Sequence, residues 1–314
     1  MNKRRLFLQQ LGLLSVGLGM APTLLAQALN EQPSGELNSP EGKAAAAASI
    51  TSVGLQLYTL REFIQKDVKG VIKKVAKADY QDVETYGYSV KNGYWGVKPK
   101  AFAELLKDND LVSSSGHYDF EEYITKGDTE VIKQYIEAAT TLGQTYLTVP
   151  FLAKRLRSKA DDYRSLAEKL NKAAEICQSA NLKLAYHNHD FELASYGKTT
   201  GLEILLKETS PALVDFEADL YWVARAGKKA TDLFKEHPGR FTMWHVKDMD
   251  KNSPNLNTEI GSGSIDYKAI FKEARQAGLK HVFVEQENFA AFMDPFKSIA
   301  QSRDYVKKTL LRHT

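Results

Sequence analysis

A single cysteine in 314 residues rules out an internal disulfide. Cys177 lies in the helical run Ala173-Ala-Glu-Ile-Cys177 with no catalytic signature around it, so it reads as a small buried side chain. Glycine is missing where a nucleotide-binding sheet would need it. The segment after the first apolar run, Tyr58-Thr-Leu-Arg-Glu62, has none, which argues against the phosphate loop of a doubly wound sheet. Excess charge is missing too. The chain carries +3, and Lys3, Arg4 and Arg5 account for all of it, because residues 1–28 hold no acid. The remainder is near neutral and lacks the net basic surface that a nucleic-acid binder needs to displace counterions. Lys154-Arg-Leu-Arg157 reads as a solvated loop face. Beyond the N terminus no segment is apolar and long enough to span a bilayer.

What is present begins with a targeting pattern. The basic triplet at 3–5 precedes Leu6-Phe-Leu8, a Leu/Gly-rich run through Leu25, and the small-residue site Ala26-Gln-Ala28. Paired arginines before such a run are similar to a bacterial twin-arginine signal. The expectation is a removable signal over 1–28, a flexible linker over 29–49, export to the periplasm, and no stable membrane insertion after signal removal. Self-association into a homo-oligomer is left open.

From Ile50 onward, short apolar runs alternate with longer amphipathic segments. Strands are predicted at 52–58, 82–86, 111–117, 145–149, 182–187, 212–217, 241–246 and 281–285. Helices are predicted at 63–78, 100–107, 129–141, 163–180, 201–208, 229–236, 267–277 and 295–311. Eight strand–helix pairs in strict alternation imply a parallel sheet closed on itself, a single α/β (β/α)8 TIM barrel over 50–314.

In such barrels chemistry gathers at the C-terminal strand ends. Read in order, those ends are Tyr58, Glu84, His117, Pro150, His187 with His189, Asp219, His245 and Glu285. Singly, each has a plainer reading: His117 as a bonded loop histidine, Glu84 paired to a lysine, Asp219 as the cap of a turn starting at Leu220. Jointly they point to a divalent cation, because a carboxylate ending a buried strand carries a desolvation cost unless something positive meets it. Alternation puts His187 and His189 on one face. The candidate metal ligands are therefore His187, Asp219, His245 and Glu285, with His189 competing for the place of His187. That donor set suits Mn²⁺, Co²⁺, Zn²⁺ or Mg²⁺ without choosing among them.

The ordered motifs are more specific than any single residue. Val53-Gly-Leu-Gln-Leu-Tyr58, Ser115-Gly-His117, Tyr186-His-Asn-His-Asp-Phe-Glu192, Ala218-Asp-Leu-Tyr-Trp222, His245-Val-Lys-Asp248, Gly261-Ser-Gly-Ser-Ile-Asp266 and Val284-Glu-Gln286 resemble the sugar phosphate isomerase/epimerase family, a xylose-isomerase-like barrel. The resemblance implies one divalent ion at the strand ends, held by residues matching Asp219, His245 and Glu285. Members shift protons on keto sugars, dehydrate inososes or cleave 3-keto-glycosides. Ketose epimerases of this kind place a glutamate on the fifth strand, where this chain has Tyr-His-Asn-His. Glu192 matches a carboxylate that touches substrate in those enzymes.

A base near a polarised carbonyl removes the α-proton, and Glu285, His117, His189 and Glu192 are the candidates. Lys247 is the candidate to neutralise oxyanion charge. Tyr58, Glu84, Trp95, Trp222 and Gln286 are the candidates for substrate contact. Isomerisation, epimerisation and elimination all follow from the same enediolate, and a carbohydrate-binding barrel without catalysis is a further reading. An exported enzyme meets unphosphorylated carbohydrate, so a non-phosphorylated sugar or keto-sugar is the expected substrate.

Overall fold

The computed structural model describes Ile50 and residues 52–313, so the expected signal and linker lie outside the described residues. Eight parallel strands close into a barrel: β1 (Gly54–Gln56), β2 (Asp82–Thr85), β3 (Val112–His117), β4 (Tyr146–Val149), β5 (Lys183–His187), β6 (Val214–Asp219), β7 (Met243–Val246) and β8 (His281–Val284). Each strand pairs with its neighbours in sequence, and β1 returns to β8 to seal the ring. Helices cover the outside, including Pro99–Lys107, Glu130–Leu142, Ala160–Ser179, Gly201–Glu208 and Pro295–Tyr305.

Period-two alternation sorts the side chains. On β7, Trp244 and Val246 turn outward, and the Trp244 ring stacks on Phe234 of the covering helix with centroids 4.8 Å apart. The same strand turns Met243 and His245 inward. Tyr146, Ala185, Met243 and Phe283 form an apolar plug across the interior, separate from the outer core. Gly54 is required there, because a Cβ would lie 2.4 Å from the Phe283 ring. A wedge of that kind leaves one end of the barrel closed and the other free for a pocket.

Two departures from the predicted elements bear on function. The sixth strand runs from Val214 to Asp219 rather than 212–217, two residues later than expected. A helix, Leu220–Arg225, follows at once, and its first turn is capped by Asp219, whose Oδ1 accepts from the Trp222 N–H at 2.9 Å. Asp219 is thus both strand end and cap; the cap fixes one oxygen and leaves Oδ2 to face the barrel mouth. The loop after β7 is caged by Asp248, which accepts from the backbone N–H groups of Gly261 (2.9 Å), Gly263 (3.1 Å) and Ile265 (3.2 Å). Gly263 has no room for a Cβ, which would sit 2.2 Å from Asp248 Oδ1. Among the described residues no helix is long and apolar enough to cross a membrane.

Candidate functional site

Four strand ends bring ligand-type atoms together at the mouth. One donor atom each from His187, Asp219, His245 and Glu285 lies within 4.8 Å of the others, and all four residues are buried. Register explains part of this: Asp219 pairs directly with His245 across β6 and β7. His187 Nε2 stands 3.4 Å from Asp219 Oδ2. His245 Nδ1 stands 3.0 Å from Glu285 Oε2 and 3.9 Å from Asp219 Oδ2.

The orientation of His187 is decisive. Its Nδ1 lies 3.1 Å from the Pro150 carbonyl, an acceptor, so Nδ1 carries the proton in the neutral ring and Nε2 carries the lone pair. That lone pair faces a carboxylate oxygen. His187 Nε2 is buried without a hydrogen-bond partner, and buried Asp219 Oδ2 is met by the Lys247 ammonium at 2.9 Å. Two acceptors aimed at one point inside a protein repel unless a cation lies between them.

Buried charge is dense around this point. Glu84, Glu217, Asp219 and Glu285 are all buried. The one ammonium among them belongs to Lys247, itself buried, with Nζ 2.9 Å from Asp219 Oδ2, 2.8 Å from Glu285 Oε2, and also against Glu287. Burial alone would lower the Lys247 pKa, but Asp219, Glu285 and Glu287 outweigh it and hold it well above the usual lysine value. Burial likewise pushes Asp219 upward, and Lys247 with His187 and His245 reverses that and draws it down to about 2. Glu285 is held well below the ordinary glutamate value: Lys247 and His245 overcome its burial.

Beneath these groups lies a second polar tier. Glu84 Oε2 accepts from Gln56 Nε2 at 2.7 Å and lies 2.6 Å from His245 Nε2, while its Oε1 accepts from the Ser115 hydroxyl at 2.5 Å. His117 Nε2 lies 2.8 Å from Glu217 Oε2 and 3.2 Å from Glu84 Oε2. Desolvation opposes the charged form of His117, yet Glu84 and Glu217 hold its pKa above the ordinary histidine value.

Above both tiers a pocket of about 420 Å³ opens to solvent. Tyr58, Tyr86 and Tyr88 form one part of its wall, and Phe151 and His189 another. Its acids are Asp119, Glu285 and Glu287, and no lysine or arginine lines it. The surface therefore combines flat aromatic faces with acidic and imidazole hydrogen-bonding groups.

Several expected site residues sit elsewhere than expected. Glu84 does not meet the pocket; it is a wholly buried acceptor under it, so its expected substrate contact is replaced by support. Glu192 is buried as well and outside the pocket lining, with Oε1 accepting from the Tyr186 hydroxyl (2.6 Å) and Oε2 from the His189 N–H (2.9 Å). Burial raises its pKa from 4.5 to about 7. Lys247 does not line the pocket; its ammonium sits among the carboxylates of Asp219, Glu285 and Glu287. Trp95 packs behind Tyr86 with ring centroids 5.1 Å apart, and Trp222 packs against His189 at 5.5 Å; neither lines the pocket. Gln286 donates its side-chain amide to the Asn288 carbonyl at 3.1 Å and is also outside the lining. Tyr58, His117, His187, His189 and Glu285 are on the wall. Of the two competing histidines, His187 ends β5 and points into the cluster with Asp219, His245 and Glu285. His189 follows a turn in which Asn188 Oδ1 accepts from the Asp219 N–H at 3.2 Å, and its ring stacks on Phe191. Burial and the neighbouring His187 keep His189 well below the usual histidine pKa, hence neutral.

Gln56, Ser115, Glu217, Phe151 and Asp119 belong to the site and were not among the sequence candidates, whereas Glu287 was visible beside Glu285 at the last strand end. Glu217 had a legible signal: Asp215, Glu217 and Asp219 alternate along one strand face. Phe151 directly follows Pro150 at the fourth strand end, which is itself a cue.

Comparison with known proteins agrees with this architecture. The sequence model of the xylose isomerase-like TIM barrel matches residues 72–309. A crystal structure of a sugar phosphate isomerase/epimerase from Parabacteroides distasonis superposes with a TM-score of 0.73 at 27% identity, covering 87% of this chain and 99% of that one. The IOLI protein, crystallised with a bound zinc atom, superposes with a TM-score of 0.68 at 14% identity, over 84% of this chain and 99% of its own, a likeness of fold. Inosose dehydratase from Clostridium perfringens is 24% identical over 183 residues, 52% of this chain and 61% of that protein. The match thus spans about three fifths of the length of that curated relative.

Proposed function

Given that the chain belongs to the xylose isomerase-like TIM barrel family, we propose that it is a divalent-metal-dependent isomerase or epimerase of a non-phosphorylated sugar or keto-sugar. The observation that carries the reading is His187 Nε2, a buried acceptor without a hydrogen-bond partner, facing the buried Asp219 Oδ2 at 3.4 Å among the four gathered donor atoms. His187, Asp219, His245 and Glu285 would hold the ion, in keeping with the mixture of imidazole and carboxylate donors they offer. Bound there, a divalent ion supplies Lewis-acid polarisation of a substrate carbonyl.

The chain's own residues do the rest. Tyr58 and Phe151 offer flat apolar faces at the pocket for a sugar ring. Lys247 keeps Asp219 and Glu285 in place by drawing both carboxylates toward one ammonium. His117 presents its ring to the pocket with a carboxylate behind it, which suits it to take the proton α to the carbonyl and return it. Neutral His189 is the second proton acceptor on the wall.

A second reading is elimination, a lyase acting on an inosose-like ketone or a 3-keto-glycoside. It is favoured by the dehydratase relative and needs only a leaving group β to the carbonyl. The acidic, cation-free lining supports a neutral substrate in either case. Export to the periplasm through the Arg4–Arg5 signal completes the proposal, since phosphorylated sugars are metabolites of the cytoplasm. The test is a metal-supplemented screen of free ketoses, inososes and 3-keto-glycosides in deuterated water. Deuterium incorporation without bond cleavage supports the isomerase reading; loss of water or of an aglycone supports the lyase. No exchange with any of them, in protein carrying its metal, contradicts both.

A further inference from the structure

Glu84 and Glu217 touch neither the pocket nor the atoms proposed to ligate the ion. Both are wholly buried, on β2 and β6, and between them the rings of His117 and His245 stack with centroids 5.2 Å apart. Each ring turns its Nε2 edge down to this carboxylate pair. His245 Nε2 lies 2.6 Å from Glu84 Oε2 and 3.3 Å from Glu217 Oε1; His117 Nε2 lies 2.8 Å from Glu217 Oε2.

The partner list of Glu84 consists of donors: the Gln56 amide, the Ser115 hydroxyl and an imidazole N–H. Only an acceptor-only group satisfies all of them; an amide in its place would turn its own N–H bonds on one of these donors. A carboxylate under Nε2 fixes the proton on Nε2 and leaves Nδ1 as the lone-pair nitrogen. For His245 that nitrogen faces Asp219 and Glu285, the side where the ion would be held. For His117 it is the edge left for the pocket that the ring lines.

We propose that Glu84 and Glu217 are positioning residues, a buried carboxylate pair that fixes His245 and His117 in one tautomer, the first ring as ligand and the second as proton carrier. This rests on the metal-dependent reading above.

The test uses the full-length protein with Co²⁺ as the probe. The visible spectrum of bound Co²⁺ gives affinity and ligand field, and ¹⁵N–¹H spectra of the Zn²⁺-loaded protein give the histidine tautomers. Glu84→Gln is expected to weaken Co²⁺ binding about 10- to 100-fold and to alter the Co²⁺ bands. Glu217→Gln is expected to remove the Nε2–H signal of His117 while weakening Co²⁺ by less than about 10-fold. Should Glu84→Gln fail to fold, Ser115→Ala frees the other oxygen of Glu84 and is expected to give a smaller loss of the same kind. Folded variants with wild-type Co²⁺ affinity, unchanged bands and both Nε2–H signals retained would overturn the proposal. A wild-type protein that binds no ion at all defeats the metal reading instead. The His117 signal then decides alone: its loss in Glu217→Gln supports the positioning role, and its retention overturns it.

Discussion

The two ends of this barrel are both rich in buried charge, and they treat it in opposite ways. At the N-terminal end, Lys183 meets Asp215 at 3.1 Å, His281 approaches Asp82 at 3.7 Å, and Asp82 also accepts from the Ser114 N–H at 2.9 Å. Each carboxylate there has its partner within the fold. At the C-terminal end the carboxylates share one ammonium, that of Lys247, and the buried ring nitrogens His187 Nε2 and His189 Nδ1 are left without hydrogen bonds. Between the two ends lies the apolar plug of Tyr146, Ala185, Met243 and Phe283. Paired charge at one barrel end stabilises the fold; unpartnered ring nitrogens at the other end are what the proposed ion and substrate would meet.

The contrast can be broken most strongly at Lys247. Lys247→Met leaves Asp219, Glu285 and Glu287 facing one another without their ammonium, and such a loss costs about 3–5 kcal/mol. Denaturant unfolding of the metal-free protein checks this. Much of the loss is expected to return on adding a divalent ion, because an ion bound only to the folded state adds stability by mass action. Recovery by Zn²⁺ or Co²⁺ separates a cation demand from simple misfolding.

A smaller effect is expected at Glu192, the mouth carboxylate that burial moves from 4.5 to about 7. A raised folded pKa means that the native state binds the proton more tightly than the unfolded chain. The contribution to stability is then full below about pH 4.5 and falls away as pH rises through about 7. The integrated difference is on the order of 3 kcal/mol. Glu192→Gln removes that dependence, so the variant should gain on the wild type by about this amount between pH 4.5 and 8. Parallel unfolding curves for the two proteins across that range would refute the assignment.

The smallest effect belongs to the opposite end. Lys183→Met removes a half-exposed partner from Asp215, for which about 1 kcal/mol is expected, with turnover unchanged within about twofold. Loss of activity comparable to that of a mouth variant would remove the distinction between the two ends.

Much of this was legible in the sequence, and the reasons can be traced to residues. The barrel showed itself because its strands are short apolar runs separated by amphipathic helices; Gly201–Glu208 was placed to the residue. His187, Asp219, His245 and Glu285 could be picked out because each ends an apolar run in a group too polar to bury alone. The lower tier was harder. Ending the sixth strand at Glu217 hid the alternation of Asp215, Glu217 and Asp219, so Glu217 looked like a boundary residue rather than an inward one. Glu84 was visible but misplaced by one tier, because a strand-end position alone does not tell floor from foundation. The turn at Asn188, which parts His187 from His189, depends on a hydrogen bond to Asp219 from a different strand and had no local signature.

The central claim is that His187, Asp219, His245 and Glu285 converge on one cation. The most direct measurement is calorimetric titration of metal-free protein with Zn²⁺, wild type beside Asp219→Asn, in which asparagine keeps the helix cap while removing the charge. The account predicts about one ion per chain for the wild type and binding weaker by about 100-fold or more in the variant. No binding to the wild type, or equal affinity in the two proteins, would contradict it.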